Sequence, residues 1–389
     1  MNKFLTCTIS IVFTSSLLTG CKKDQGPSDE LKKAAVTNYA SIVYANYSDA
    51  LSKAQLLKTS IDVFVATPTQ SNFDAAKQAW LEARLPYGQT EVFRFYSGPI
   101  DDDNGPEGLI NAWPMDEAYL DYVQGNATSG LINDLTFTIT KSNIEAQNEN
   151  GGETNISCGF HAIEFLLWGQ DLSTTSAGSR PYTDFIPVTG TALNQARRCA
   201  YLKAIAELLV DNLQDVTNAW SPSQTGNYRQ DFVNGNSDAA ISKMIQGTGF
   251  LSKGELAGER LEVAYDSQLQ EDEHSCFSDN THNDVQMNAL GILNVINGTY
   301  KRTDGSVITG TSVYDVVSAK DANTANELKA AVELGYSKSK EIAAPFDQQI
   351  VSSNVSGRVK VKTVIDALKA QGDKIAEAAS KLSFSIIIE

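Results

Sequence analysis

The sequence predicts an all-α protein built from two packed helical bundles, each up-and-down and four-helix-like, with a site near their interface. Three observations lead there. Apolar residues step by three and four along most of the 389-residue chain, the spacing of a half-buried helix. Strand-like alternation is scarce. The periodic stretches are long and joined by short polar breaks, which favours antiparallel helical neighbours.

Val36, Tyr39, Val43, Tyr47, Ala50, Ala54, Leu57, Ile61 and Phe64 mark a first helix from about Asp29 to Val65. Thr67, Pro68 and Thr69 break it. Ser71 has the character of a cap for a second helix, Phe73 to about Tyr96, which Pro86 and Gly88 should kink. Tyr201, Ile205, Leu209, Leu213, Val216 and Trp220 form another stripe, ended by Ser221 and Pro222. Ala239 to Leu269 is helical with glycine interruptions, and Asp284–Ile296, Ala322–Ala343 and Lys362–Leu382 follow. Ser306–Ile308 suggests a small hairpin. Ser173–Thr191 is rich in Ser, Thr, Gly and Pro and marks the expected junction, giving bundles over 30–180 and 181–389.

The amino end has a different character. Lys3 precedes a mostly apolar run from Phe4 to Leu18, too short to span a bilayer comfortably and followed by polar residues, so 1–20 are expected to be an export signal. Leu18-Thr19-Gly20-Cys21 resembles a bacterial lipoprotein cleavage site, which implies lipid on Cys21 and a tether over 21–29. The expected location is a bacterial membrane, facing periplasm or cell surface. Loss of Lys3 takes the formal charge from -16 to -17, which argues against nucleic acid as a partner. Once Cys7 leaves with the signal and Cys21 carries lipid, Cys158, Cys199 and Cys276 remain in an oxidising compartment. A Cys158–Cys199 bridge is the favoured pairing, because Cys276 lies within a histidine segment, where it could be a thiolate ligand or an inert buried thiol.

All three histidines fall in two motif-like segments. His161 and Glu164 are three apart, which on a helix places them on one face. Phe160, Ile163, Phe165, Leu166, Leu167 and Trp168 surround them with apolar bulk, so the pair should be buried and in need of partners. It can offer an imidazole nitrogen and a carboxylate oxygen to one metal ion, or form a hydrogen bond that only fixes packing. His274 and His282 belong to an acidic loop expected to pass into a helix near Asn280, bringing His274, Asp279 and His282 around one cavity; a solvated loop is the alternative. Arg94 and Asp101 are further candidates beside a metal or anion. Asp101–Gly105 lacks the alternating ligands and terminal glutamate of an EF-hand.

Taken together, Gly159–Asp171 with its G-x-H-x-x-E pattern, Glu273–His282, and Pro86–Glu91 continuing through Phe95–Asp101 resemble the imelysin family, also called the iron-regulated protein A family. Arg197, Arg198, Tyr201 and Leu202 are a weaker match. The resemblance spans roughly Asp29 to the carboxyl end and adds Ser97 to the pocket candidates. It implies paired helical bundles with the motif residues near their interface, export, and expression linked to iron. It also implies a metal ion, iron or zinc, held by His161, Glu164, His274 and His282, with iron-uptake components as possible partners. The family's peptidase classification gives a second reading, a zinc peptidase with Glu164 or Glu91 as general base. No H-E-x-x-H pattern occurs in the chain.

Overall fold

The first helix, α1 (Asp29–Ala66), turns the predicted stripe inward: Val36, Tyr39, Val43, Tyr47, Leu57, Ile61 and Phe64 are all buried. The Ser28 side chain accepts from the Leu31 amide and fixes its start. A computed structural model describes residues 26–389; the export signal, Cys21 and most of the tether lie outside the described residues. Thr69 caps α2 (Gln70–Thr90), which packs along α1. With α3 (Gly159–Trp168) and α4 (Gln195–Ala219) they form the amino-terminal bundle.

The second group begins with α5 (Ser237–Phe250), which runs on through a π-helical stretch, Leu251–Glu262, into Val263–Ser267. Then come α6 (Thr281–Asn297), α7 (Val313–Lys320), α8 (Ala322–Ser339) and α9 (Val355–Lys381). Helix α9 packs against α8, α5 and the π-helical stretch, and α6 packs against α8. A small hairpin pairs β1 (Thr299–Lys301) antiparallel with β2 (Val307–Thr309), in the register Tyr300 to Ile308. The described chain is therefore mostly helical, as the periodicity predicts.

The seam between the groups is α2 against α6. A Cβ on Gly291 would stand 2.6 Å from the Gln89 carbonyl oxygen, and one on Gly88 2.8 Å from the Met287 Cβ. Only glycine lets these backbones approach so closely. Arg84 and Asp284, 200 residues apart, consequently meet across the seam.

Helix α2 ends earlier than its apolar pattern suggests. It tightens into a 3-10 turn at Glu91–Phe93, and Phe95 and Ser97 then take positive φ values of 69° and 54°. The Asp101 carboxylate accepts from the Phe95 and Gly98 amides and holds this turn, a local bonding choice that apolar spacing does not reveal.

The long irregular passage between α2 and α4 is pinned by buried arginines. Arg198 on α4 grips Asp121 with two nitrogens at 2.7 and 2.8 Å, and Arg180 reaches the same carboxylate at 2.7 Å. Arg197 donates to the carbonyls of Leu131, Ile132, Asp134 and Phe137.

The expected Cys158–Cys199 bridge is not formed. Both are free, buried thiols aimed at different carbonyls: Cys158 Sγ at Leu109 (3.5 Å) and Cys199 Sγ at Phe185 (3.3 Å). Cys158 precedes α3, whereas Cys199 faces inward from the first turns of α4, so each has a separate pocket. Burial pushes Cys158 up to about 12 and Cys199 to about 11.

Candidate functional site

Gly159 opens α3 with φ +89°, and a Cβ there would lie 2.7 Å from the Ile110 carbonyl oxygen. The position therefore needs glycine both for its dihedral and for its contact. Gly159→Ala should cost more than the about 1–2 kcal/mol of the dihedral alone and shift the helix that carries His161. A lower urea midpoint for this variant checks it.

Every residue of α3 is buried. His161 Nδ1 lies 2.9 Å from Glu164 Oε2. Glu164 Oε1 accepts from the Ser278 amide at 2.9 Å and from its hydroxyl at 2.6 Å. Both carboxyl oxygens are thus engaged, and Glu164 aims the imidazole from behind. The opposite nitrogen, His161 Nε2, is buried and has no hydrogen-bond partner.

The His274 ring stands against this nitrogen's ring, with centroids 4.8 Å apart and planes at 74°. Trp113 covers the other flank at 5.0 Å. His274 Nδ1 is 3.5 Å from Asp284 and 3.5 Å from Arg84. Arg84 bonds Asp284 (3.1 Å) and Asn111 (2.5 Å), and Ser275 donates its hydroxyl to Asp284 at 2.5 Å. The seam between α2 and α6 therefore fixes the second imidazole.

His274 lines a cavity of about 400 Å³ whose wall includes Arg94, Asn111, Trp113, Glu255 and Arg260. Glu91 accepts from Arg94 at 2.9 Å and from Arg260 at 2.6 Å; Arg94 also pairs with Glu107 at 2.9 Å, and Arg260 with Glu255 at 2.9 Å. Arg260 and Glu255 come from the π-helical stretch, whose altered turn presents both to one side; such stretches recur at functional sites.

Burial controls the charges. It drives His161 well below its usual range, helped by His274 and Arg84. Burial and then Arg260 bring His274 to about 4, against the pull of Asp284. Both imidazoles are therefore neutral at pH 7. Burial raises Glu164 to about 8 despite the Ser278 bonds. For Glu91 burial pushes upward, but Arg260 and Arg94 overcome it and hold the carboxyl at about 2.

The Glu91 shift has a sign that can be tested. Its folded pKa is depressed, so its contribution is complete above the ordinary glutamate value near 4.5 and is lost as pH falls towards 2. The urea midpoint should drop over that window. Glu91→Gln should start lower at pH 5 and fall less steeply.

Of the candidates read from sequence, His161, Glu164 and His274 come together, and Arg94 lines the adjoining cavity. His282 and Asp279 instead line a separate groove with Ala344 and Pro345, where His282 Nδ1 donates to the Asp279 carbonyl at 3.1 Å. Asp101 belongs to its turn, and Ser97 is exposed within it. Periodicity passed over Trp113, Asn111, Asp284 and Arg260. Of these, Asp284 alone bore a sequence hint, as an inward-facing acid in the first turn of a helix.

The imidazole pair tests whether a metal fits. His161 Nε2 has the orphaned, carboxylate-backed geometry of a ligating histidine. Yet among the described residues no group of three or more His, Cys, Asp or Glu side chains is arranged to hold a metal ion. The protein side offers two nitrogens, and Glu164 stands behind one of them.

The imelysin family model matches residues 43–375. Iron-regulated protein A of Synechococcus elongatus is 25% identical over 343 residues, covering 86% of this chain and 82% of that protein. Two solved structures share the fold. One is assigned as an iron-regulated protein A precursor from Parabacteroides distasonis (TM-score 0.71, 19% identity, 92% of this chain and 96% of that one). The other is an imelysin-like protein from Psychrobacter arcticum (TM-score 0.66, 14% identity, 93% and 99%). With the family match running through both helical groups and the motif residues gathered at one cavity, the chain belongs to the imelysin family.

Proposed function

We propose that the protein binds an iron ion carried by a small ligand, as an exported binding protein of iron acquisition. The observation that carries this reading is the unpartnered His161 Nε2 beside His274 at the end of an open cavity. Two neutral imidazoles leave a transition metal short of donors, and the cavity has room for a small molecule that supplies the rest. A cation near Nε2 would also favour the tautomer in which Nδ1–H donates to the Glu164 carboxylate. The cavity wall carries Glu107, Glu149, Glu255, Glu259, Glu271 and Asp272 against two arginines, a balance that favours cations. The choice of iron rests on the name of the Synechococcus relative.

The peptidase reading gains less support. Glu164 is committed to His161 and Ser278, and Glu91 to two arginines, so neither is poised to activate water. Among the described residues no helix is long and apolar enough to cross a membrane. We place the protein on a membrane through lipid at Cys21; Cys21→Ala remaining in the membrane fraction would refute that anchor.

Metal-stripped protein should retain close to one equivalent of iron when offered ferric citrate and then desalted, and should leave a mixed peptide pool uncut. Absence of retained iron or zinc, whether offered as ion or chelate, would sink the binding reading. Chelator-sensitive peptide cleavage would revive the enzyme.

A further inference from the structure

Away from the imidazole pair, four carboxylates from three separated segments gather without a basic partner. Glu273 and Asp279 belong to the loop before α6, Asp171 follows α3, and Asp347 begins the short helix Asp347–Ile350. The segments meet at the groove walled by Thr175, Ser278, Asn280, Ala344 and Pro345, and Gln348 donates its side-chain amide to the Thr174 carbonyl across it.

Glu273 is the telling member. Its exposure is 0%, and neither carboxyl oxygen accepts a hydrogen bond; the Thr281 hydroxyl beside it falls outside bonding geometry. The charges acting on it are those of Asp347, Asp279 and Asp171. Asp171 and Asp347 are each only 4% exposed. Burial, then Asp171 and Asp347, pushes Asp279 up to about 7, and burial, then Asp347 and Glu271, pushes Asp171 up to about 6. No lysine or arginine acts on any of the four, and among the described residues none of them forms an ion pair.

Carboxylates taken from water need a counter-charge or a proton. Oxygen donors without nitrogen or sulfur suit a hard cation, and the irregular loops suit the adaptable six- to eight-fold coordination of calcium better than the strict octahedron of magnesium. We infer that Glu273, Asp171, Asp279 and Asp347 bind one calcium-type divalent cation that clamps these three segments together. The carboxylates are not yet spaced as a finished cage, so the ion draws them inward, with main-chain oxygens and water completing its coordination. The clamp has a consequence for the cavity site. Glu273 adjoins His274, and Asp279 adjoins Ser278, the residue that holds Glu164. Fixing this loop fixes both supports of the imidazole pair.

The test uses the purified protein dialysed against chelator and then given millimolar calcium at pH 7.5. Calcium should bind at one ion per chain and raise Tm by at least about 2 °C. Glu273→Gln should abolish both effects, while its Tm in chelator is no lower than that of the unsubstituted protein, because mutual repulsion is relieved. Asp347→Asn provides the same comparison if the first variant does not fold. The inference is overturned if calcium neither binds stoichiometrically nor shifts Tm, or if Glu273→Gln keeps both responses. It is equally overturned if only lowering the pH raises Tm, since protons would then be the neutralising species.

Discussion

Arg198→Ala is expected to destabilise the protein by about 3–5 kcal/mol, the usual cost of removing one partner from a buried ion pair. The guanidinium is 0% exposed and takes both oxygens of Asp121, itself 0% exposed. It also donates to the carbonyls of Asp184 and Leu193. Its removal leaves Asp121 with Arg180 alone and those carbonyls short of a donor. Burial would raise the Asp121 carboxyl, and Arg180 and Arg198 together keep it below the ordinary range, so the loss falls on an ionised group. Arg198→Lys should recover only part of the stability, because an ammonium cannot reproduce the two-pronged grip. Urea midpoints of the three proteins check this. Equal midpoints would mean that the passage between α2 and α4 is anchored elsewhere.

The second large effect concerns the cavity. His161→Ala should abolish stoichiometric iron retention, whereas Glu164→Gln should weaken it by about 10–100-fold, the usual cost of disturbing the group behind a metal-bound histidine. The difference in size is the informative part. Glu164 touches His161 and Ser278, so its loss should loosen the imidazole without removing the donor nitrogen. Trp113, 5.0 Å from His161, offers an optical readout, since a metal at Nε2 should quench its fluorescence. If Glu164→Gln proved as damaging as His161→Ala with the fold intact, the carboxylate would itself be a metal ligand. If neither variant changed iron binding, the imidazole pair would have no part in it. Circular dichroism of both variants separates these outcomes from unfolding.

Much of this architecture was written in local patterns. The stripe from Val36 to Phe64 became α1 because a period near 3.6 leaves no other way to bury those side chains together. The spacing of His161 and Glu164 likewise sufficed to put both on one helical face. Where competing bonds were short-ranged but polar, the pattern misled. Apolar residues beyond Thr90 suggested more helix, and the Asp101 carboxylate ended it by capturing two amides.

What the sequence by itself determined was the helical class, the burial of the His161–Glu164 pair and the family to which the chain belongs. What only the tertiary structure decided was which distant groups meet. Glycines at the α2–α6 seam brought Arg84 to Asp284 and so set His274 against His161, while His282, eight residues further on, was carried to another groove. The same packing gave Cys158 and Cys199 separate pockets. The reason is physical. Periodicity reports only which side of an element faces inward, whereas contacts between remote segments depend on how closely two backbones can approach and which buried polar groups must be satisfied there.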